Sequence, residues 1–319
     1  MSRPKLLILE PDGFSSLAAA KLAEVFDLGF GPFDRAALLE SIADCSGIMV
    51  RLAHRIDKEV IARAGRLSFI ASPTTGLNHI DVAAAEQRGV AVLSLRGERE
   101  FLDTIHATAE HTWALLLTLL RNVPAAHRSV LDGAWDRDRF RAHELFGRTL
   151  GIIGYGRIGS KVANYGRAFG MTIAACDPFV APPPDVRRVD LNELFAISDV
   201  ISVHAPFSAD TSGMIGAAQM ASAARRPLFI NTARGELVDE EALLAALREG
   251  IFAGAALDVL CGENMPAGVM EASSDLIDFA RRNPRLILTP HIGGATFESM
   301  SRTEEFITGK ILHHVMVAK

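Results

Sequence analysis

Four side chains with complementary chemistry follow apolar runs in the C-terminal part of this 319-residue chain. Arg234 comes just after PLFIN, Asp258 and Glu263 after AGAAL, and His291 after LILTP. Apolar runs of that length read as buried strands, and open α/β sheets bind ligands at the ends of their strands. Arginine grips a carboxylate through two parallel charge-assisted bonds. Histidine passes a proton to or from a substrate oxygen. A carboxylate on its second ring nitrogen orients the imidazole and favours its protonated form. Such a set suits the reduction of a 2-keto acid by a hydride donor. Plainer readings stand beside it: Arg234 as a helix-start surface residue, Asp258 as a cap, Glu263 as an ordinary loop carboxylate, His291 as part of a turn.

A hydride donor needs a place to bind, and TLGIIGYGRIGSKVANYGRAFGMTIAACDP offers one. Gly154, Gly156 and Gly159 form a G-x-G-x-x-G set between a predicted strand and a predicted helix, and a second strand ends in Asp177. The three glycines allow a tight turn, close approach of a pyrophosphate, and close helix-to-strand packing. The helix N-terminus presents free N–H groups and a positive dipole end to the phosphates. Asp177 would accept from the adenosine ribose hydroxyls and repel a 2′-phosphate, which favours NAD over NADP. Arg157 lies in the same loop, within reach of phosphate. With a nicotinamide present, Asp258 has a further reading, as a strand-end acid that holds the ring's amide.

The elements around these residues alternate. KLLILE, GIMV, LSFIAS and VAVLSL in the first third, then TLGIIG, TIAACD, VISVH, PLFIN, AGAALDV and LILTP, read as buried parallel strands separated by Ala/Leu-rich helices. Continuous apolar strands between helices indicate parallel sheets covered on both faces. A long apolar helix is expected over 107–121, and a last helix over 297–317. The length suggests two domains. With 49% hydrophobic residues and a net charge of −5, the chain has the means for sizeable cores and no basic excess for nucleic acid. WALLLTLL is too short to span a bilayer, the N-terminus lacks a signal-peptide pattern, and Cys45, Cys176 and Cys261 match neither a disulfide framework nor a zinc site. A soluble, cytoplasmic protein without a metal is expected.

The motifs TAEHTWALLL, ELFGRTLGIIGYGRIGSKVA, ISVHAP, INTARGELVDEEAL and TPHIGGAT together resemble the NAD-dependent D-isomer-specific 2-hydroxyacid dehydrogenases, over nearly the whole chain. The resemblance implies an α/β fold of two Rossmann-like domains with parallel sheets, the cofactor domain (103–291) inserted into a substrate domain (1–102 plus 292–319). The active site is expected in the cleft between the two. It implies Arg234 as the ligand of the substrate carboxylate, His291 as acid/base and Glu263 as its partner. ASPTTGLNHID places Thr75 and Gly76 as backbone ligands of the substrate carboxylate, and MVRLAHR places Arg51 facing the substrate. Thr108, Asp258 and Gly294 are similar to residues lining the nicotinamide, and His204, Ala205 and Pro206 to those near the adenosine. Ile158 in the glycine loop and Thr232 and Ala233 in the NTARG turn complete the cofactor set. The family usually dimerises through the cofactor domain, so a homodimer is expected; the long helix and the arm after it carry Trp113, Trp135 and Phe140, which read equally as contacts of that interface or as core within the chain.

The chain also departs from the family pattern. Leu260 stands where an aromatic is usual and Asn264 where a proline is usual, and the segment 265–285 is longer than the family's short loop, with room for an extra helix. RGEREFLDTIHA is longer too, bringing Arg96 and Arg99 toward the expected cleft. His111 on the long helix reads as structural, and the regulatory domain that some phosphoglycerate dehydrogenases carry after the last helix is not expected. The resemblance implies a D-2-hydroxy acid dehydrogenase, with 3-phosphoglycerate or glyoxylate/hydroxypyruvate chemistry as the specific alternatives. A non-catalytic NAD-sensing protein is the rival class.

Overall fold

A computed structural model describes residues 3–263 and 274–317 of the chain. Asn264 and the first part of the long segment after it therefore lie outside the described residues. In chain order the strands are β1 (Lys5–Ile8), β2 (Asp27–Phe30), β3 (Gly47–Met49), β4 (Phe69–Ala71), β5 (Ala91–Leu93), β6 (Thr149–Ile153), β7 (Thr172–Cys176), β8 (Arg187–Arg188), β9 (Val200–Val203), β10 (Leu228–Asn231), β11 (Gly254–Leu257) and β12 (Leu286–Leu288). The α-helices are α1 (Ser16–Ala23), α2 (Arg35–Ser41), α3 (Lys58–Arg63), α4 (Val82–Gln87), α5 (Arg99–Asp103), α6 (Ala107–Leu120), α7 (Val123–Leu131), α8 (Arg157–Ala168), α9 (Leu191–Ile197), α10 (Ala217–Ala221), α11 (Glu240–Glu249), α12 (Ser274–Arg282) and α13 (Phe297–Val317). Helix starts are written locally. Asp34, Asp57, Asp81, Asp190 and Asp239 each cap a helix by accepting from the N–H three residues on.

The chain forms two units, each with its own sheet and core. The first takes residues 3–105 and 295–317. Its five parallel strands run β2-β1-β3-β4-β5. Successive residues of β1 point to opposite faces: Leu7 joins Ile48 and Ile70 in one core, Leu6 and Ile8 join Met49 and Phe69 in the other. Helix α5 stays with this unit because Leu102 enters the second core and Phe101 stacks on Phe306 of α13, with ring centroids 4.1 Å apart.

The second unit takes residues 106–263 and 274–294. Its seven strands are parallel, in the order β12-β11-β10-β9-β6-β7-β8. From β6 the chain builds outward to β7 and β8, then crosses back to β9 and builds the other way. The strand ends of β6 and β9 therefore flank a topological switch point, where such sheets bind ligands. One face buries Ile153, Ile201 and Phe229 with Phe195 and Phe252; the other buries Ile152, Val200 and Ile230 with Trp113 and Leu119 of α6. Both faces are covered, which explains why the strands read as unbroken apolar runs. Residues 292–294 remain with this unit because the N–H groups of Ile292 and Gly293 bond to Asp258. The α/β class with two parallel sheets, one unit interrupting the other, follows the expectation from sequence.

Candidate active site and cofactor crevice

The glycine loop leaves β6 and enters α8 at the switch point. Gly154 has φ +87°, a left-handed conformation that favours glycine, and a Cβ there would lie 2.7 Å from the Ala205 nitrogen. Gly154 thus lets the loop after β6 touch the His204–Ala205 backbone after β9. A Cβ on Gly159 would lie 2.1 Å from the Gly154 oxygen, so α8 can start against the turn only with glycine there. At Gly156, in contrast, a Cβ would meet nothing within 4 Å. Gly156 is also the N-cap of α8, a place where no side chain caps the helix. Arg157 and Ile158 open the helix, both half-buried. A cradle that a side chain would fill, at a helix N-terminus beside a strand-end acid, fits a dinucleotide pyrophosphate.

Asp177 ends β7. Its Oδ2 accepts from the Tyr155 N–H at 2.8 Å, and its Oδ1 from the N–H groups of Phe179 and Val180 at 2.8 and 2.9 Å. These bonds fix the carboxylate beside the glycine loop and leave lone pairs for ribose hydroxyls. Across the switch point, the half-buried His204 pairs Nε2 with the Ser202 hydroxyl at 2.8 Å. Its Nδ1 is buried without a partner. Desolvation pushes its pKa down to about 3, so the ring is neutral. Ala205 is half-buried and Pro206 exposed beside it.

The acid, the arginine and the histidine come from the neighbouring strand ends. Strands β10 and β11 pair in register up to Asn231 and Leu257. Beyond β10, the Asn231 side chain donates to the Arg234 oxygen at 2.9 Å and accepts from the Ala233 N–H at 3.0 Å, so one amide sets the NTARG turn. Arg234 is half-buried and its Nη1 donates to the Ala233 oxygen at 2.6 Å. A Cβ on Gly235 would sit 2.1 Å from the Leu260 carbonyl carbon, so the Arg234 turn packs directly on the loop that carries Glu263. Thr232 is buried and shares a 2.8 Å hydroxyl contact with Thr112 of α6.

Glu263 is held from both sides. Its Oε2 accepts from the Leu260 N–H at 3.1 Å, and its Oε1 meets His291 Nδ1 at 2.6 Å. This contact engages Nδ1 of the ring and leaves Nε2 for another partner. His291 itself has φ +54°, a left-handed conformation uncommon for a non-glycine residue and found where function constrains the backbone. Its N–H bonds to the Asp258 carbonyl oxygen at 2.8 Å. Asp258, 1% exposed, anchors the whole turn: Oδ1 accepts from the Thr289 hydroxyl, the Ile292 N–H and His111 Nε2 at 2.6, 2.9 and 3.2 Å, and Oδ2 from the Gly293 N–H at 2.7 Å. Burial opposes its ionisation, but the bonds from His111, Thr289, Ile292 and Gly293 outweigh that and hold its carboxyl below the usual carboxylate range. Thr108 lies in the same cluster, 3.4 Å from where a Cβ on Gly293 would be, while Gly294 is exposed. The links to His111, Thr112 and Thr289 were not foreseen from sequence; the signal was there in Thr108, His111 and Thr112, which share one face of a helix.

The remaining expected residues lie in the first unit. Thr75 is exposed and Gly76 half-buried in the loop after β4, which Thr74 ties down by donating to the Gly76 oxygen at 2.8 Å. The Arg51 guanidinium is engaged within its own unit: Nη2 donates to the Glu10 and Asp12 carbonyls at 2.5 and 2.9 Å, and Nη1 lies 3.5 Å from Glu304. Arg96 and Arg99 are exposed. Among the described residues no cluster of His, Cys, Asp and Glu could hold a metal ion, and no helix is long and apolar enough to cross a membrane.

Comparison with known proteins gives these features a context. The profile described as "D-isomer specific 2-hydroxyacid dehydrogenase, NAD binding domain" matches residues 113–293. D-3-phosphoglycerate dehydrogenase of Mycobacterium tuberculosis is 36% identical over 308 residues, 95% of this chain and 55% of that protein. The enzyme of the same name from Archaeoglobus fulgidus is 38% identical over 283 residues, 88% of this chain and 51% of that protein. The chain thus spans about half the length of the curated relatives it matches. Among solved structures, an Aquifex aeolicus D-lactate dehydrogenase complexed with NAD and lactic acid superposes with a TM-score of 0.83 at 29% identity, over 98% of this chain and 95% of that one. A glyoxylate reductase from Paecilomyes thermophila gives 0.81 at 29% identity, over 98% and 95%. With a profile match over more than half of its length and relatives this similar across nearly all of it, the chain belongs to the D-isomer specific 2-hydroxyacid dehydrogenase family and carries that family's NAD-binding domain.

Proposed function

We propose that this chain is an NAD-dependent oxidoreductase that interconverts a D-2-hydroxy acid and its 2-keto acid. The observation that carries the reading is the 2.6 Å contact between Glu263 and His291 Nδ1, with the carboxylate clipped by the Leu260 N–H. A carboxylate so placed makes the imidazole a proton donor at Nε2. Arg234, on the turn packed against the same loop, supplies the cation for a substrate carboxylate. NADH, when bound, supplies the hydride. In the direction of reduction, His291 gives its Nε2 proton to the carbonyl oxygen as C2 is reduced, and Glu263 stabilises the imidazolium before transfer. Gly154, Gly156, Gly159 and the α8 N-terminus would hold the pyrophosphate, Asp177 the ribose hydroxyls, and Thr108, Asp258 and Gly294 the nicotinamide end. Ile158, Thr232, Ala233, His204, Ala205 and Pro206 are proposed to line the rest of the dinucleotide. Arg51 and the Thr75–Gly76 loop are proposed as substrate contacts of the first unit, which would be the substrate domain, with the second unit as the cofactor domain.

The first substrate to test is the oxidised form of 3-phosphoglycerate, supported by the names of the curated relatives. Glyoxylate or hydroxypyruvate is the second, supported by the glyoxylate reductase fold match. The proposal includes a cytoplasmic setting and a homodimer. The test is a panel of 2-keto acids with NADH, following the absorbance of the reduced nicotinamide. Turnover of one or more members supports the reading; tight NADH binding with no turnover of any member would favour an NAD-sensing protein instead.

A further inference from the structure

Behind the acid/base pair lies a second histidine that the proposed reaction does not use directly. His111 projects from α6, and its Nε2 is 3.2 Å from both Asp258 Oδ1 and the Thr289 hydroxyl. Its side chain is 16% exposed and that of Asp258 1%. The Thr289 hydroxyl donates to Asp258 at 2.6 Å, so its lone pairs are turned toward His111. Both neighbours of Nε2 are then acceptors, which requires the proton on Nε2. The ring is also part of the packing. A Cβ on Gly293 would lie 2.9 Å from Asp258 Oδ2 and 3.6 Å from His111 Cδ2, so glycine there lets the carboxylate, the imidazole and the backbone close on one another.

We propose that His111 is a positioning residue: its Nε2–H fixes the Asp258 carboxylate against the N–H groups of Ile292 and Gly293 and thereby holds the turn that aims His291. The chain of contacts is continuous. Nε2 of His111 donates to Oδ1; the same carboxylate takes the N–H groups of the two residues after His291; the Asp258 carbonyl takes the His291 N–H. Without the imidazole donor, a nearly fully buried carboxylate loses one of its four donors and swings to compensate, and the left-handed His291 backbone loses its template. A donor that fixes a carboxylate behind a reacting side chain sets the aim of that side chain.

Only the kinetic arm of the test rests on the proposed oxidoreductase function; the structural arm is read in the cofactor-free protein. In the wild type, nitrogen-15 NMR should find the His111 proton on Nε2, protected from exchange. A proton on Nδ1 with Nε2 bare would overturn the inference without any variant. His111→Leu should speed amide hydrogen exchange at Ile292 and Gly293 by about tenfold, the loss expected of one bond to a charged group. His111→Gln, which can return a donor to that place, should restore much of the protection. With a 2-keto acid that turns over, His111→Leu should lower kcat by about tenfold with KM within about twofold, again with partial rescue by glutamine. Unchanged exchange at both amides in His111→Leu would overturn the proposal, as would equal losses in the leucine and glutamine variants, which would assign His111 to packing. A panel on which even the wild type is inactive would sink the oxidoreductase reading and leave the exchange result to decide this one.

Discussion

The carboxylates of this site owe their behaviour to what donates to them. The half-buried Glu263 takes two donors and the buried Asp258 takes four. Replacing Glu263 by Gln keeps the shape and removes the charge, so the imidazolium of the proposed mechanism loses its stabilising partner. Turnover by Glu263→Gln should fall roughly 10- to 1,000-fold with NADH affinity nearly unchanged, checked by steady-state kinetics beside a fluorescence titration. Asp177→Asn should weaken NADH binding about tenfold or more and narrow the preference over NADPH, since an acceptor for the ribose hydroxyls is lost and a 2′-phosphate is no longer repelled. Comparable titrations with both nucleotides measure it, and an unchanged ratio would contradict the assigned place of Asp177. Arg234 and His291 stood out as candidates in the sequence because each follows closely behind an apolar strand, β10 or β12, whereas Glu263 lies further behind β11 and was named through the family resemblance. The bonds of Arg51 to Glu10, Asp12 and Glu304 were not, because they join residues far apart in the chain. His111 read as structural for the same reason: its partners, Asp258 and Thr289, come 147 and 178 residues later.

Among the elements, the β6–α8 unit and the end of β9 define the crevice. Gly159→Ala would push a methyl onto the Gly154 carbonyl, and the turn or the helix must move. A loss of about 1–3 kcal/mol is expected, read as a lower urea midpoint with an unchanged slope. At the end of β9, His204 is kept neutral by desolvation, with its pKa near 3 against 6.5 for a free ring. A group whose folded pKa is depressed contributes its full stability above the unfolded value and loses it as pH falls toward the folded one. Stability should therefore decline as pH drops from about 6.5 toward 3. Because the ring is only half-buried, the difference between pH 7 and 5 should be about 1 kcal/mol. His204→Asn should flatten that dependence in urea unfolding series, and an unchanged slope would contradict it. The apolar strands were readable because parallel strands buried on both faces show as unbroken hydrophobic runs. Strands β2 (DLGF) and β8 (RR) escaped notice: both are edge strands, half-exposed or exposed, and their sequences lack that signal. The helix limits Ala107–Leu120 and Phe297–Val317 fell within a residue of the sequence reading.

Across the whole molecule, two parallel sheets with separate cores carry one family-specific set of motifs. The second unit also exposes large apolar side chains on and after α7, with Leu131 66%, Trp135 90% and Phe146 80% accessible. The proposed homodimer would cover these side chains. Sedimentation should find a dimer, and Leu131→Ser with Trp135→Ser should shift it toward monomer; a wild type that sediments as a monomer would refute the proposed assembly. Trp113 behaves differently: it is buried against α8 and stacks on Phe169 at 4.6 Å. Nothing in a run of aromatics tells a core ring from a surface one until the neighbouring helix is placed. The central claim is that His291, held by Glu263, delivers the proton that completes reduction of a 2-keto acid. The most direct test is single-turnover oxidation of NADH by a keto acid from the panel, comparing wild type with His291→Gln. The account predicts a rate roughly 10²- to 10⁴-fold lower in the variant, with NADH bound as tightly. A variant that reduces the keto acid as fast as wild type would contradict it.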